Sequence, residues 1–199
     1  ATEKSHIVSD LPFMSYQISP EQAIENAGRL IKESGCQSVK IEGGSAVKSS
    51  IKKIVDAGIP VMGHLGLTPQ SINQFGGFKV QGKTRKSAQH LIDEALIVQE
   101  AGAYSLVLEL VPEELSQIIT EKLDIPTIGI GAGKSCDGQV QVFHDLLGLY
   151  TEFSPKHAKK YADVASLMKK SLQDYVTEVK SGEFPDEIHM SHADLSDLN

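Results

Sequence analysis

The sequence has 199 residues, 40% hydrophobic and 23% charged, which is typical of one globular domain and excludes a disordered or fibrous chain. The net charge of −7 argues against nucleic-acid binding, which depends on clustered cations, and no apolar stretch approaches the ~18 residues of a membrane span. We therefore expect neither nucleic-acid nor membrane partners. Cys36 and Cys136 match no metal-ligand spacing, which indicates free thiols in a cytoplasmic protein.

Short β-rich runs alternate with helical patterns along most of the chain. A start of the capping-box type at Ser19, Pro20 and Gln22 opens the first helix, and Gly35 ends it. The runs predict strands at about 6–11, 38–41, 60–63, 104–109, 126–130 and 140–143, with helices at 19–34, 86–101 and 112–123. This alternation predicts right-handed βαβ units and a parallel sheet.

The C-terminal part has a different pattern. Apolar residues from Tyr161 to Val179 recur every three or four positions, which predicts one long amphipathic helix over about 155–182 that ends at Gly182. An acidic tail over 183–199 follows. We predict a single domain over 1–199, with barrel strands and helices in about 6–150.

Two architectures fit the alternation: an open doubly wound sheet and a β/α barrel. Asp10, Glu42, His64, Glu109 and Gly129 lie at or just beyond the ends of different predicted strands. A barrel gathers such residues at one mouth, whereas an open sheet spreads them across its width. We therefore favour the barrel, although a complete one has eight strands and only six are predicted.

Lys40 and Glu42 lie on one face of a predicted strand, because side chains alternate along a strand. They predict either a structural ion pair or a cation and a carboxylate that point together into the barrel mouth. Asp10, at the end of the preceding strand, either caps the next turn or donates an oxygen to a divalent cation. Mg²⁺ is typically held by one or two carboxylates with substrate and water, so Asp10 and Glu42 could share such an ion.

Glu109 ends one of the most apolar runs of the chain, where an ionised carboxylate is costly unless it is paired. It is either a general base at the barrel mouth or a buried Glu held by a Lys. His64 is either a structural, hydrogen-bonded residue or a candidate active-site residue. The sequence has no second His at metal-ligand spacing, which argues against a zinc site.

Six blocks of the sequence, in this order, resemble ketopantoate hydroxymethyltransferases. They are DLPFM (10–14), VKIEGG (39–44), GHLGLTPQS (63–71), FGGFKVQG (75–82), LVLE (106–109) and IGIGAG (128–133), and DGQ (137–139) follows them. The resemblance covers about residues 6–189. It implies transfer of a hydroxymethyl group from 5,10-methylenetetrahydrofolate to 3-methyl-2-oxobutanoate, with Mg²⁺, in a cytoplasmic homo-oligomer, usually a decamer.

The resemblance also implies residue roles. Asp10 would bind Mg²⁺ and substrate, Glu42 would be a second Mg²⁺ ligand, Lys40 would bind the substrate carboxylate, and Glu109 would accept the proton. His64 would lie in the active-site region.

The sequence departs from the family pattern at its start. The family has a further metal-binding Asp in a Gly-Asp-Ser segment, which this sequence lacks. We expect a TIM-type (β/α)8 barrel without its first two βα units in this chain, with weak Mg²⁺ affinity and little or no activity of this chain alone. The alternatives are an inactive or incomplete fragment of that enzyme, and a Mg²⁺-dependent α-keto acid lyase or mutase barrel.

Overall fold

A computed structural model describes residues 4–194, apart from the side chains of residues 74 and 75. The last residues of the predicted tail, 195–199, lie outside the described residues. The chain divides into two compact units, Ala1–Val140 and Gln141–Asn199. Among the described residues, no helix combines the length and the apolar content needed to cross a membrane.

The first unit is built on a parallel sheet of six strands. The strands are β1 (Val8–Asp10), β2 (Ser38–Glu42), β3 (Val61–Gly66), β4 (Ser105–Glu109), β5 (Thr127–Ile130) and β6 (Gly138–Gln139). They pair in sequence order from β1 to β6, all parallel, and the sheet curls into a half-barrel. A doubly wound sheet reverses its order at a switch point, so the one-way winding is that of a β/α barrel and confirms the preferred class.

Helices follow most of the strands. The first unit contains α1 (Pro20–Ser34), α2 (Lys48–Asp56), α3 (Ile72–Phe75), α4 (Arg85–Glu100) and α5 (Glu113–Lys122), with 3₁₀ turns at Ser45–Val47 and Pro69–Ser71. The Ser19 hydroxyl accepts the backbone N–H of Gln22, and Gly35 ends α1 in the left-handed conformation, as predicted. In a complete capping box the Gln22 side chain would accept the backbone N–H of Ser19. Here it accepts the backbone N–H of Ile18 instead, one residue earlier.

Several predicted elements differ from those of the structure. Residues 140–143 form no strand: β6 precedes them, and Phe143 begins a short helix. Helix α2 was not predicted. Strand β3 continues to Gly66, which places His64 inside the strand rather than beyond its end.

The hydrophobic core lies between one face of the sheet and the helices. Val39 and Ile41 of β2 and Leu106 and Leu108 of β4 are fully buried. They belong to one cluster with helix residues, among them Ala23, Ala27, Ile51, Ile54, Ala95, Val98, Leu115 and Ile119. Because side chains alternate along a strand, this packing directs Lys40, Glu42 and Glu109 to the opposite face.

The second unit contains α6 (Phe143–Leu147), α7 (Val164–Ser181) and a 3₁₀ turn at Glu187–His189. Helix α7 ends at Gly182, which has a positive φ of 78°, as its sequence pattern predicts. It begins at Val164, whereas the predicted helix began near residue 155. The residues just before it, 151–163, form no helix or strand.

Candidate active site

The register of the sheet brings the candidate residues to one face. Asp10 pairs with Lys40, Glu42 pairs with His64, and Gly66 pairs with Glu109. Paired residues of neighbouring strands point to the same side, so all five candidate site residues share the face that is turned away from the helices. Gly129 pairs with Leu108 and therefore belongs to the helix-facing side, unlike the other candidates.

Lys40 forms its ion pair with Asp10. Its ammonium nitrogen lies 3.1 Å from Asp10 Oδ2, and 84% of the Lys40 side chain is buried against 42% for Asp10. The ion pair that the Lys40 and Glu42 spacing suggested is thus made across strands instead of along one strand. Because the Asp10 carboxylate is exposed, solvent can reach the ion pair from that side.

His64 lies at the centre of the charged groups. It is 3% exposed, and its Nδ1 lies 3.1 Å from Lys40 Nζ and 3.8 Å from Glu42 Oε1. Its other nitrogen, Nε2, lies 3.2 Å from Glu109 Oε2. The N–H direction is not aligned with that oxygen, and Nε2 has no hydrogen-bond partner among residues 4–194. The buried His64 ring therefore lies between the Lys40 ammonium group and two carboxylates, and its hydrogen bond is with Lys40.

The contacts of His64 fix where its proton lies. An ammonium group can only donate hydrogen bonds, so Nδ1 accepts from Lys40 and carries no proton. The ring proton is then on Nε2, beside Glu109 Oε2. Among the described residues, the charged neighbour of Glu109 is thus a His and not the Lys that its sequence suggested.

Glu42 is the buried carboxylate of the site. Burial raises its pKa, while the backbone N–H of Gln70, which donates to Oε2 at 2.9 Å, opposes that rise. The phenol of Tyr16 accepts the Glu42 backbone N–H at 3.3 Å and donates to Gln70 Oε1 at 2.8 Å. Sequence reasoning missed Tyr16 and Gln70 as site residues, although Gln70 lies within the GHLGLTPQS block.

The donor set fits Mg²⁺ only with help from a ligand. No group of three or more His, Cys, Asp and Glu side chains in the described part of the chain could hold a metal ion. Asp10 and Glu42 end adjacent strands on one face, and two carboxylates completed by substrate and water oxygens are an ordinary protein share of a Mg²⁺ site. The residues present therefore fit Mg²⁺ bound together with an oxygen-bearing substrate.

The fold and this site define an enzyme of the β/α-barrel class, with acidic, basic and imidazole groups at the strand ends. A solved structure from Burkholderia cenocepacia J2315, a candidate phosphonomutase, shares this fold with a TM-score of 0.52 and 14% identity. The match covers 88% of this chain and 72% of the Burkholderia chain. At that identity the likeness shows the fold alone.

Relatives of much higher identity give the family. The family model described as ketopantoate hydroxymethyltransferase matches residues 1–187. The 3-methyl-2-oxobutanoate hydroxymethyltransferase of Clostridium beijerinckii is 56% identical over 96% of this chain and 70% of its own length. A relative of the same name from Dehalococcoides mccartyi is 56% identical over 92% of this chain and 65% of its own length. One from Chloroflexus aurantiacus is 54% identical over 99% of this chain and 69% of its own length. The chain belongs to the ketopantoate hydroxymethyltransferase family, a family of transferases, and spans about two thirds of the length of these relatives.

Proposed function

We propose that this site transfers a hydroxymethyl group from 5,10-methylenetetrahydrofolate to 3-methyl-2-oxobutanoate, giving 2-dehydropantoate for pantothenate and coenzyme A biosynthesis. The observation that carries the proposal is the single buried ring of His64, which is hydrogen-bonded to the predicted substrate-binding ammonium and lies beside the predicted proton acceptor. Family membership supports the reaction, and the shared face of the five residues supports their common role.

Lys40 is the proposed anchor for the substrate carboxylate. Among the described residues, its ammonium group makes one hydrogen bond, to His64, and an ion pair with Asp10 at 3.1 Å. Donors therefore remain for a carboxylate ligand, because an ammonium group carries three. Because Asp10 and Lys40 hold each other in place, a carboxylate at Lys40 lies beside the Asp10 oxygens.

Glu109 is the proposed base that removes the proton from C3 of the substrate. Its Oε2 lies beside His64 Nε2, which leaves Oε1 to take the substrate proton. A positioned carboxylate contributes by accepting the proton in the transition state. His64 lies beside Glu109 and, through the hydrogen bond at Nδ1, sets the position of Lys40 relative to it.

Asp10 and Glu42 are the proposed Mg²⁺ ligands. When bound, Mg²⁺ supplies positive charge beside the keto and carboxylate oxygens of the substrate, which makes its C3 proton more acidic. Asp10 also contacts the substrate in this proposal. Glu42 has one oxygen held by the Gln70 N–H, so it offers the cation its other oxygen.

Exchange of the C3 proton tests the proposed function directly. The chain is incubated with Mg²⁺ and 3-methyl-2-oxobutanoate in D₂O, and loss of the C3 proton is followed by ¹H NMR with and without tetrahydrofolate. We expect exchange above the uncatalysed rate and, with methylenetetrahydrofolate, only little 2-dehydropantoate from this chain alone. The intact Clostridium beijerinckii relative is the positive control, and its rate should be well above that of this shorter chain.

Two variants locate the reaction. Glu109→Gln should abolish exchange, while Glu121→Gln, which changes an exposed carboxylate on α5, should leave it unchanged. Equal exchange by the unaltered chain and Glu109→Gln would refute the role of Glu109. Exchange without any hydroxymethyl product, when the relative makes product, would favour a lyase or mutase over a transferase.

We also propose that copies of this chain assemble, as a decamer by family resemblance, in the cytoplasm. Exposed apolar side chains along α7, namely Leu167, Met168, Leu172 and Tyr175, support an assembly surface. Free, buried Cys36 and Cys136 fit a reducing compartment. Light scattering measures the assembly, and a monomer at micromolar concentration would contradict it.

A further inference from the structure

Gln70 connects the ends of two strands that carry proposed cation ligands. Its backbone N–H donates to Glu42 Oε2 at 2.9 Å, and its side-chain Nε2 donates to the carbonyl of Leu11 at 2.9 Å. Leu11 directly follows Asp10. One residue thus holds the Glu42 carboxylate with its backbone and the chain beside Asp10 with its side chain.

Tyr16 fixes the orientation of the Gln70 amide. Gln70 Oε1 accepts the phenol proton at 2.8 Å and also accepts from Gln17 Nε2 at 3.3 Å, so its amide nitrogen is turned toward Leu11. Tyr16 is 1% exposed, and burial raises the pKa of its phenol to about 12, which keeps the donor protonated. The Tyr16 carbonyl in turn accepts from Ser50 of α2 at 3.3 Å.

The same phenol replaces a missing strand partner. Strand β1 ends at Asp10, and Leu11 N–H makes its last bond to β2, at Lys40 O. Beyond that bond, the Glu42 N–H donates to the Tyr16 hydroxyl at 3.3 Å. The phenol therefore extends the pairing of β2 at the residue whose side chain enters the site.

We propose that Gln70, oriented by Tyr16, is a positioning residue that fixes the Asp10 and Glu42 carboxylates relative to each other. We call this pair of residues the Gln70 brace. With Oε2 of Glu42 occupied by the Gln70 N–H, Oε1, 3.8 Å from His64 Nδ1, is the oxygen directed to a cation. The effect of the Gln70 brace on cation binding rests on the proposed function, whereas its effect on the backbone does not.

Cation affinity tests the consequence for the site. Mn²⁺ alone is the probe, and free Mn²⁺ is measured by electron paramagnetic resonance. Gln70→Leu and Tyr16→Phe should each weaken Mn²⁺ binding about 10-fold or more, the range for residues that orient metal ligands. The double variant should lose little more than Gln70→Leu, because the two residues act as one unit.

Gln22→Leu is the matched control. The Gln22 amide also holds the loop after β1, donating to Met14 O at 2.9 Å, but it contacts neither Glu42 nor Leu11. It should leave Mn²⁺ affinity unchanged. If Gln22→Leu and Gln70→Leu weaken binding equally at equal thermal stability, the effect belongs to the loop as a whole and the brace is wrong.

Amide hydrogen exchange tests the brace without a metal. By NMR, the amides of residue 70 and Glu42 should be protected in the unaltered chain and in Gln22→Leu. The Glu42 amide should exchange about 10-fold faster in Tyr16→Phe, and the residue-70 amide at least as much faster in Gln70→Leu. Unchanged protection in both variants would overturn the proposal, as would lost protection with unchanged Mn²⁺ affinity. An unaltered chain that binds no Mn²⁺ would refute the proposed cation site, and the exchange rates would then decide the brace alone.

Discussion

Gly66, the last residue of β3, lies where the structure leaves no room for a side chain. Gly66 has a φ of 91°, in the left-handed region that side chains rarely adopt. A Cβ at this position would overlap the carbonyl oxygen of Glu109 and would lie 2.7 Å from Val111 Cγ2. Because that carbonyl accepts the Leu67 N–H at 2.8 Å, the overlap can be relieved only by moving the backbone of the proposed base.

We expect Gly66→Ala to lower the free energy of unfolding by about 2–5 kcal/mol, because it combines a left-handed Ala (about 1–2 kcal/mol) with overpacking (about 1–3 kcal/mol). Gly28→Ala is the matched control. Gly28 lies within α1, and a Cβ there would meet nothing within 4 Å. This control should instead raise the free energy of unfolding by about 0.5–1 kcal/mol, since Gly is a poor helix former.

Urea unfolding followed by circular dichroism measures both variants. The C3 exchange rate should fall in Gly66→Ala, even at temperatures where the variant is folded, and should not change in Gly28→Ala. A Gly66→Ala protein as stable as the unaltered chain would refute the close approach of β3 and β4 at this turn. A destabilised variant with full exchange activity would refute the link between this backbone and the position of Glu109.

Three further predictions concern the site and the scaffold. Lys40→Met should raise the KM for 3-methyl-2-oxobutanoate about 10–100-fold with a smaller change in kcat, because a charged hydrogen bond contributes about 1.5–3 kcal/mol; an effect on kcat alone would contradict this. Since burial raises the folded-state pKa of Glu42, its contribution to stability is present below the unfolded pKa of about 4.3 and is lost as pH rises through the folded pKa. Glu42→Gln should therefore have a higher Tm than the unaltered chain at pH 8 and an equal one near pH 4, and a pH-independent difference would contradict this. Ser19→Ala should cost about 1 kcal/mol in urea unfolding by removing the α1 cap, and no change would show that the cap is dispensable.

The sequence predicts where three candidate side chains lie, because each of them ends a recognisable apolar strand. Asp10, Glu42 and Glu109 end β1, β2 and β4 as expected. The partner of Lys40 could not be predicted: the two-residue spacing to Glu42 is local, whereas the pair with Asp10 depends on strand register. Strand register is set by the packing of whole strands, so the residues around Lys40 do not indicate which residue of β1 will lie opposite it.

Other misses have local physical reasons. Strand β3 includes Gly63, His64 and Gly66, none of which is a residue type enriched in strands, so its second half did not resemble a strand. Val140 and Val142 resemble one, yet β6 forms at Gly138–Gln139 by pairing with β5. Gln70 acts through contacts with Glu42 and Leu11, 28 and 59 residues away, which no spacing rule covers.

Anomalous scattering from crystals grown with Mn²⁺ and 3-methyl-2-oxobutanoate tests the central claim most directly. We predict one Mn²⁺ peak bound by Asp10 and by Oε1 of Glu42, with the ligand carboxylate on Lys40 Nζ and C3 facing Glu109. A cation and ligand bound together elsewhere on the chain, with the Lys40, His64 and Glu109 contacts unchanged, would contradict the proposed site.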